Sequence, residues 1–402
     1  MTHVIVVGGG QAGSSLVAKL RNSGFEGEIT LIGAEAIPPY QRPPLSKKYL
    51  LGELELERLL LRPEAFYSEN EITLRLGKTV DAIDTKARNI RIGDAVLAYD
   101  HLVLATGSDP RHLPAAIGGA LEGVYVVRNL QDVDGMAPEF VGGKHVLIIG
   151  GGYIGLEAAA VAASKGLQVT LVEMAERILQ RVACSQTSDF FRELHRAHGV
   201  EILEGVGLKE LTGEDRVNGA ILSDGTELAI DFAIVGVGVT PAESLAEKAG
   251  LALDNGIATD AFGRTSVDRI WAAGDCASFP YRGERIRLES VPNAIEQAEI
   301  VALNILGEDK EYIAKPWFWS DQYDVKLQIA GLNSGYDDVI TRKGDKERSV
   351  SFWYFKGDEL LAVDAANDPR SYMIGKRLIE AGKSPAKAAI ADPATDMKSL
   401  LR

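Results

Sequence analysis

The sequence predicts an α/β protein with two parallel-sheet domains and a C-terminal α+β domain that contains an antiparallel sheet. Two observations support this prediction. A similar segment occurs twice, as VIVVGGGQAGSSL at residues 4–16 and VLIIGGGYIGLEA at 146–158, and the pattern of the chain changes near residue 316. The first glycines of the two segments lie 142 residues apart, which is the spacing of domains rather than of short repeats.

Each repeated segment has the pattern of a strand, a glycine turn and a helix. An aliphatic run precedes G-x-G-x-x-G, and apolar residues at helical spacing follow it. A further short strand, at 28–32 and at 168–172, completes a βαβ unit in each half. In this context G-x-G-x-x-G binds a pyrophosphate, so both domains are predicted to be Rossmann-like dinucleotide-binding domains.

The remaining elements follow in order along the chain. Strands are predicted at 72–76, 79–84, 88–92 and 101–105 in the first half and at 200–206, 217–223 and 230–235 in the second. The C-terminal part is predicted to contain antiparallel strands at 326–330, 349–355 and 359–363 and a helix at 371–381. We therefore expect the first domain at 1–110 and 241–316, the second at 111–240 and the third at 317–402.

Composition excludes several functional classes. The chain of 402 residues is 46% hydrophobic and carries a net charge of −14, which argues against general nucleic-acid binding. No apolar run approaches the roughly 18 residues of a membrane span, and the chain enters a strand at once, so we expect a cytoplasmic protein. The two cysteines, Cys184 and Cys276, have neither metal nor disulfide spacing. Redox chemistry would therefore need a bound cofactor.

The two glycine motifs provide the candidate binding residues. In the first motif these are Gly8, Gly10 and Gly13, and in the second Gly150, Gly152, Tyr153, Ile154 and Gly155. The glycines would let the backbone approach a pyrophosphate, whose charge is met by the amides of the helix N-terminus. A tight glycine-rich turn without a ligand is the alternative for a single motif, but duplication makes it a poor explanation here.

The acidic residue expected after the second strand differs between the halves. Glu173 follows Thr-Leu-Val directly, 18 residues beyond Gly155, where a carboxylate accepts hydrogen bonds from ribose hydroxyls and repels a 2′-phosphate. This residue predicts a preference for NADH over NADPH. The matching position in the first half is Gly33, and Glu35 nearby either contacts a ribose or is an ordinary loop charge.

Three further features admit two interpretations from the sequence alone. The segment 38–47 either holds the cations Arg42 and Lys47 close to the first glycine motif or is a rigid surface linker, which is the interpretation that its two proline pairs favour. Glu157, in an alanine-rich helical turn, either is buried with a partner or is exposed and stabilised by the helix dipole. The aromatic cluster that contains Trp319 belongs either to a core or to a cofactor site.

The chain resembles the FAD-dependent NADH:ferredoxin reductases of the putidaredoxin reductase type, which belong to the glutathione-reductase-like flavoproteins. The resemblance runs through the whole sequence, in YQRPPLSK, LATGSDPR, VGVGVTP, IWAAGDCA, ESVPNA and above all PWFWSDQYDVKLQIAG. It implies that the first glycine motif binds FAD and the second NADH. The FAD residues implied by the resemblance, with those of the first motif and Glu35, are Arg42, Lys47, Thr106, Gly107, Arg128, Asp275, Pro292 and Trp319.

The resemblance also implies individual roles. Lys47 and Glu157 would form a pair near the flavin that seats the nicotinamide, Trp319 would line the flavin, and Gly238 would contribute to the NAD site. Asp275 would bind the ribityl chain, and the other interpretation of an aspartate at that position, a helix N-cap, is compatible with that role. The family usually has glutamine where this chain has Pro292, so the amide contact to the flavin must come from the backbone or be absent.

The expected electron acceptor is external. Segment 36–50 contains no cysteine, Cys184 is predicted to lie on a helix of the NAD half, and Cys276 is expected to be a small buried residue, so a thiol relay is not expected. The resemblance implies a 2Fe-2S ferredoxin that serves a cytochrome P-450 monooxygenase, or alternatively a ring-hydroxylating (Rieske-type) dioxygenase. An apoptosis-inducing-factor-like binding flavoprotein and an NADH-dependent quinone or nitrite-type reductase are further alternatives.

Charge asymmetry suggests where the ferredoxin docks. Residues 370–402 carry a net charge of +4 whereas the remainder carries −18. Candidate docking residues are Arg282, Arg285, Arg287, Arg370, Lys376, Arg377, Lys383, Lys387, Lys398 and Arg402. The alternative is that these side chains form an ordinary solvated face.

Overall fold

The computed structural model describes residues 1–401, so Arg402 lies outside the described part of the chain. The strands are β1 His3–Val7, β2 Glu28–Gly33, β3 Ile72–Leu76, β4 Ala82–Asp84, β5 Asn89–Ile92, β6 Ala95–Ala98, β7 His101–Leu104, β8 Ser108–Pro110, β9 Val124–Tyr125, β10 His145–Ile149, β11 Gln168–Glu173, β12 Glu201–Glu204, β13 Leu208–Gly213, β14 Val217–Leu222, β15 Glu227–Ala229, β16 Phe232–Val235, β17 Val239–Pro241, β18 Ile257–Ala258, β19 Ile270–Ala272, β20 Ala277–Tyr281, β21 Glu284–Ile286, β22 Trp317–Gln322, β23 Val325–Gly331, β24 Asp338–Lys343, β25 Val350–Lys356 and β26 Glu359–Ala366.

The helices are α1 Gln11–Asn22, α2 Leu56–Leu59, α3 Glu64–Glu69, α4 Leu130–Met136, α5 Tyr153–Ser164, α6 Ser185–Ala197, α7 Ser244–Lys248, α8 Val291–Ile305, α9 Pro369–Glu380 and α10 Lys387–Ala391. Short 3₁₀ helices occupy Pro43–Ser46, Ala115–Ile117, Ala137–Glu139 and Met397–Leu401. Within residues 1–401, none of these helices combines the length and apolar character that crossing a bilayer requires.

The chain divides into two compact units. The first unit comprises residues 1–42, 55–109 and 239–316, and the second comprises 43–54, 110–238 and 317–402. Residues 43–54 group with the second unit although they lie inside the range predicted for the first domain. The predicted boundaries of the three domains stay a prediction.

The first unit is built on a parallel sheet in the order β19-β7-β1-β2-β3. Alternate residues of β1 enter two different apolar clusters, Val4 and Val6 into one and Ile5 and Val7 into the other. Strands of a sheet that is covered on both faces have continuous aliphatic sequences, which is the pattern that β1 shows. A three-stranded antiparallel sheet, β4-β5-β6, precedes β7 in the chain.

The second unit repeats this plan. Its parallel sheet runs β12-β11-β10-β16-β9, and a three-stranded antiparallel sheet, β13-β14-β15, precedes β16. The repetition extends to hydrogen bonds at the start of each central strand. The backbone N–H and ring of His3 bond to Asp100, Ala98 and Thr30, and those of His145 bond to Asp231, Ala229 and Thr170.

The C-terminal part of the second unit is an antiparallel sheet in the order β22-β23-β26-β25-β24. Helix α9 packs on it at Gly375, where an added Cβ would lie 2.6 Å from Val363. The predicted α/β class with an additional antiparallel α+β part is therefore confirmed. The sequence did not predict β24, because its charged residues mark an edge strand rather than a buried one.

Candidate dinucleotide and redox site

The first glycine motif forms an open cradle at the start of α1. A Cβ added at Gly8 would lie 2.0 Å from the carbonyl oxygen of Ala105, and one at Gly13 would lie 2.0 Å from that of Gly8. These two glycines are therefore required by close backbone packing. An added Cβ at Gly10 would meet nothing within 4 Å. The open space lies at the helix N-terminus, where the N–H groups suit a pyrophosphate.

The second motif has the same geometry at the start of α5. An added Cβ would lie 2.4 Å from the Gly236 oxygen at Gly150 and 2.1 Å from the Gly150 oxygen at Gly155, whereas Gly152 again faces open space. Neither α1 nor α5 has a side-chain cap or an acidic residue in its first turn. Both helix starts thus leave their N–H donors available and fit the phosphates of a dinucleotide.

The two residues after Gly152 differ in environment. The side chain of Ile154 is 46% exposed beside the second cradle. The hydroxyl of Tyr153 is buried, and within residues 1–401 it has no hydrogen-bond partner. Burial raises the pKa of Tyr153 well above its ordinary value, so the phenol stays neutral.

Glu173 ends β11 beside the second cradle. One carboxylate oxygen accepts the N–H of Gly151 at 2.7 Å, and the other accepts the N–H of Ala175 at 2.8 Å. These bonds fix the orientation of the carboxylate, and each oxygen keeps a lone pair for a ribose hydroxyl. In the first unit β2 ends with Gly33 at the matching place.

Glu35 belongs to a polar cluster in the first unit. Its carboxylate accepts hydrogen bonds from the guanidinium of Arg42 at 2.6 Å and from the hydroxyl of Tyr40 at 2.5 Å. Glu35 is thus a half-buried loop residue in an ion pair, and its contact with a ribose stays a prediction. The surface-linker interpretation of segment 38–47 is wrong, because Tyr40 and Leu45 are buried.

Asp275 lies in a turn that packs against the start of α1. A Cβ added at the neighbouring Gly274 would lie 3.0 Å from Ala12 and 3.7 Å from Ala294 near the start of α8. The Asp275 carboxylate accepts a hydrogen bond from the Ser108 hydroxyl at 3.2 Å. Strand β20 follows this turn, so the helix N-cap alternative for Asp275 is wrong.

The other predicted FAD residues of the first unit lie at loop and helix starts. The hydroxyl of Thr106 donates to the Ala242 carbonyl at 2.6 Å, and Gly107 accepts the N–H of Ala242 at 3.0 Å. Pro292 lies in the first turn of α8, after the Ser290 cap. Proline fits this turn because its missing N–H would have no intrahelical acceptor.

Lys47 and Glu157 form a buried ion pair in the second unit. The Lys47 ammonium lies 2.9 Å from a Glu157 carboxylate oxygen, and their side chains are 16% and 4% exposed. Glu157 also accepts hydrogen bonds from the hydroxyls of Ser46 and Ser320, each at 2.7 Å. The exposed-helix alternative for Glu157 is therefore wrong, and the carboxylate is held by three donors.

The other predicted site residues of the second unit are Trp319, Arg128 and Gly238. Trp319 lies on β22 directly before Ser320, and its ring is 5.5 Å from that of Trp317. The backbone N–H of Arg128 donates to Asp132 at 3.0 Å, just ahead of helix α4. Gly238 has φ +98°, and its carbonyl accepts the N–H of Arg111 at 3.0 Å.

The cysteines are buried and free. Cys184 precedes α6 rather than lying within it, which corrects its predicted place on the helix. Burial raises the pKa of the Cys276 thiol, so the reactive thiolate is disfavoured.

A buried carboxyl group lies on β26. Asp364 accepts hydrogen bonds from the Thr187 hydroxyl at 2.8 Å and from the Tyr354 hydroxyl through one oxygen. Burial raises the pKa of Asp364 to about 6. The other oxygen is buried and has no partner within residues 1–401.

The sequence did not predict the two serines that bond Glu157, or the residues that extend this hydrogen bonding. Ser46, Ser320 and Gln322 lie inside the motifs YQRPPLSK and PWFWSDQ, from which the resemblance implies roles for Arg42, Lys47 and Trp319 alone. His195, which extends the same hydrogen bonding, has no motif around it. Only the fold brings these four residues to one place.

Comparison with known proteins gives consistent matches over the whole chain. Residues 2–298 match the pyridine nucleotide-disulphide oxidoreductase family, and residues 317–401 match the reductase C-terminal family. The chain is 42% identical over 408 residues to a ferredoxin–NAD(P)(+) reductase of Sphingomonas sp., covering 100% of this chain and 98% of the relative. It is 40% identical to putidaredoxin reductase of Pseudomonas putida, covering 94% and 91%. The crystal structure of the covalent putidaredoxin reductase–putidaredoxin complex aligns with a TM-score of 0.96 at 38% identity, covering 100% and 98%.

Proposed function

Because this chain belongs to the putidaredoxin reductase-like ferredoxin–NAD(P) reductases of the pyridine nucleotide-disulphide oxidoreductase family, we propose that it is an FAD-dependent NADH:ferredoxin reductase. The predicted family, the oxidoreductase class and the FAD and NAD cofactors are those of its relatives and are confirmed. The observation that carries the proposal is the duplicated cradle, in which Gly10 and Gly152 face open space at two uncapped helix starts.

FAD, when bound, supplies the chemistry that connects a two-electron hydride donor with one-electron acceptors. The residues of this chain bind and orient. We assign the first cradle, Asp275, Thr106, Gly107 and Glu35 to FAD and the second cradle to NADH. Glu173, fixed by two backbone N–H groups, selects NADH because its charge opposes a 2′-phosphate.

Lys47 is proposed to present a positive charge beside the reacting rings, with Glu157 holding that charge in place. Trp319, Arg42, Arg128 and Pro292 complete the proposed flavin residues, and Gly238 completes the NAD set. In this assignment Glu35 holds the Arg42 guanidinium at 2.6 Å, so Arg42 approaches FAD as part of an ion pair. The proposed domains are 1–110 with 241–316, 111–240 and 317–402.

Electrons are proposed to leave for an external carrier. Segment 36–50 has no cysteine, and both cysteines of the chain are buried as free thiols. Reduced, buried thiols are typical of a cytoplasmic protein, which is the location that we propose.

The proposed carrier is a 2Fe-2S ferredoxin that docks on basic side chains. Several of the candidates are already engaged: Arg285 donates to Thr259 and Ser278, Lys383 donates to Leu401 and Lys376 lies over the Trp317 ring. Arg377 is exposed on α9. We therefore place Arg377 first among the docking residues, ahead of Arg282, Arg285, Lys376 and Lys383.

Anaerobic mixing tests the function. NADH should bleach the flavin, and the reduced enzyme should then reduce one member of a panel of 2Fe-2S ferredoxins. Fast bleaching with no reduction of any ferredoxin would reject the proposal in favour of quinone or nitrite-type reduction. A ferredoxin that passes electrons to a cytochrome P-450 supports our proposed pathway, and one that serves only a Rieske-type dioxygenase supports the alternative. Slow bleaching together with tight protein or nucleic-acid binding would favour the apoptosis-inducing-factor-like alternative.

The docking face has its own test with a matched control. Arg377→Glu should raise KM for the ferredoxin about fivefold or more at low salt and leave reduction of a small dye unchanged, because steering acts on the charged partner. Lys209→Glu, the same charge change at an exposed position of β13, should alter neither rate. Equal effects of the two variants would remove the docking proposal.

A further inference from the structure

A line of buried hydrogen bonds leads away from Glu157 through the second unit. The Ser320 hydroxyl donates to Glu157 at 2.7 Å, and the Gln322 amide nitrogen donates to Ser320 at 3.1 Å. The Gln322 carbonyl oxygen lies 2.7 Å from Nε2 of His195. The middle residues are inaccessible to solvent, since Ser320 is 1% exposed and Gln322 and His195 are both 0% exposed.

Hydrogen-bond chemistry permits one direction along this line. The Glu157 carboxylate, paired with Lys47, has no proton to give, so the single Ser320 proton must point at Glu157. Ser320 must then accept from Gln322, which only the amide NH₂ can supply. This places the Gln322 carbonyl toward His195 and requires a proton on Nε2 of that ring. A flipped Gln322 would bring two acceptor oxygens together.

The donor and acceptor roles are equally fixed at the His195 end of the line. With its proton on Nε2, His195 has a bare Nδ1, and the Tyr323 hydroxyl lies 3.2 Å from it as the donor. Burial lowers the pKa of His195 to about 4 and raises the pKa of Tyr323. Both side chains are therefore neutral at ordinary pH, so the direction of the line does not change. The ring of His198 stacks on Tyr323 at 3.7 Å.

We propose that Ser320, Gln322 and His195 are positioning residues that orient the Glu157 carboxylate, and through it the Lys47 ammonium, for the reaction with NADH. The inference rests on the proposed function of the Lys47–Glu157 pair. Without the Ser320 hydrogen bond the carboxylate keeps Ser46 and Lys47, which both contact the same oxygen, and it gains freedom to rotate. Strand β22 thereby couples two neighbouring residues to the site, Trp319 as a proposed lining residue and Ser320 as an orienting one.

The sharpest variant is Gln322→Glu, which keeps the shape and reverses the polarity. An ionised carboxylate at this position accepts the Ser320 proton and withdraws it from Glu157. We expect the limiting rate of flavin reduction by NADH, measured anaerobically on FAD-loaded enzyme without ferredoxin, to fall about tenfold, the effect of losing a hydrogen bond to a charged group. The Kd for NADH should change less than twofold.

The pH profile distinguishes this role from a structural one. A protonated carboxyl group carries an O–H where glutamine has its NH₂, so lower pH should restore the original direction. The limiting rate of flavin reduction in Gln322→Glu should therefore approach the wild-type rate as the pH falls from 8 to 6. The titratable groups of this network are Glu157, Lys47, His195 and Tyr323, together with His198 stacked on Tyr323, and the wild-type profile corrects for them. A deficit that is constant with pH would contradict the proposal.

A second variant and a matched control guard against misfolding. Ser320→Ala should also slow flavin reduction about tenfold, whereas Ser351→Ala, a buried serine that accepts the Trp353 ring N–H on β25, should stay within twofold. All rates are expressed per bound FAD, with Tm as a check of folding. Unchanged limiting rates in both Gln322→Glu and Ser320→Ala would overturn the inference.

The proton arrangement can be read without activity. ¹⁵N NMR of histidine-labelled enzyme, with the signal assigned by His195→Gln, should show His195 as the neutral Nε2–H tautomer between pH 5.5 and 8. An Nδ1–H tautomer, or a titration within that range, would refute the direction of the line. Because no ferredoxin is used in any of these measurements, failure of the ferredoxin reductase proposal would leave them interpretable.

Discussion

Removing one partner of the buried pair should reveal what holds Lys47 and Glu157 in place. At 2.9 Å, two unit charges attract by about 6 kcal/mol at an effective dielectric constant of 20. Burial of both groups offsets most of this energy. Lys47→Met leaves the 4%-exposed Glu157 charge unpaired, which should cost about 3–5 kcal/mol of unfolding free energy. Glu157→Gln should cost less, because the more exposed lysine can reach water.

The assay is a double-mutant cycle on the FAD-loaded protein. Each single variant and the Lys47→Met/Glu157→Gln double variant are unfolded by heat and by urea, and for a chain of 402 residues 3 kcal/mol corresponds to a fall in Tm of roughly 3–4 °C. We expect the double variant to be more stable than Lys47→Met alone, since it no longer buries an unpaired charge. Additive losses, with the double variant least stable, would refute the argument that the two charges depend on each other.

Three further predictions concern the cradles and the buried carboxyl group. Gly152→Ala should raise the Kd for NADH tenfold or more in titrations while Tm stays within 2 °C, whereas Gly150→Ala should lower Tm because its Cβ would lie 2.4 Å from a carbonyl oxygen; equal Tm values would contradict this. Glu173→Arg should lower the ratio of kcat/KM for NADH to kcat/KM for NADPH, and an unchanged ratio would show that other residues set this preference. Burial raises the pKa of Asp364 to about 6, so between about pH 4 and 6 this residue binds more protons in the folded than in the unfolded chain. Its protonation therefore contributes up to about 3 kcal/mol to the free energy of unfolding below about pH 4, and this contribution is lost as the pH rises to 6. The Tm difference between wild type and Asp364→Asn should follow that trend with pH and not stay constant.

The repeated βαβ units could be predicted because each is a local pattern. Strand, glycine turn and helix follow one another within about 30 residues, so Gly8 and Gly150 identify both cradles without tertiary information. Glu173 could be predicted for the same reason, because its distance from Gly155 is set by one helix and one strand.

The surroundings of Glu157 could not be predicted from local patterns. Its donors come from residues 46, 47 and 320, which are separated by more than a hundred positions on either side. Composition favoured a surface linker for the segment that contains Ser46, since prolines are typical of linkers, and only tertiary packing buries it. The repeated bonds of His3 and His145 were missed because a histidine at a strand start has no distinctive pattern.

The order of the strands in the first sheet determines when that sheet can be completed during synthesis of the chain. Strand β7 pairs with β1 on one side and with β19, at Ile270–Ala272, on the other. At about 5–20 residues per second, β7 waits several seconds to tens of seconds for that partner, with an apolar edge unpaired. All five strands of the second sheet lie between residues 124 and 235 and are synthesised before β19 exists. The nascent chain can thus complete the parallel sheet of the second unit before that of the first unit.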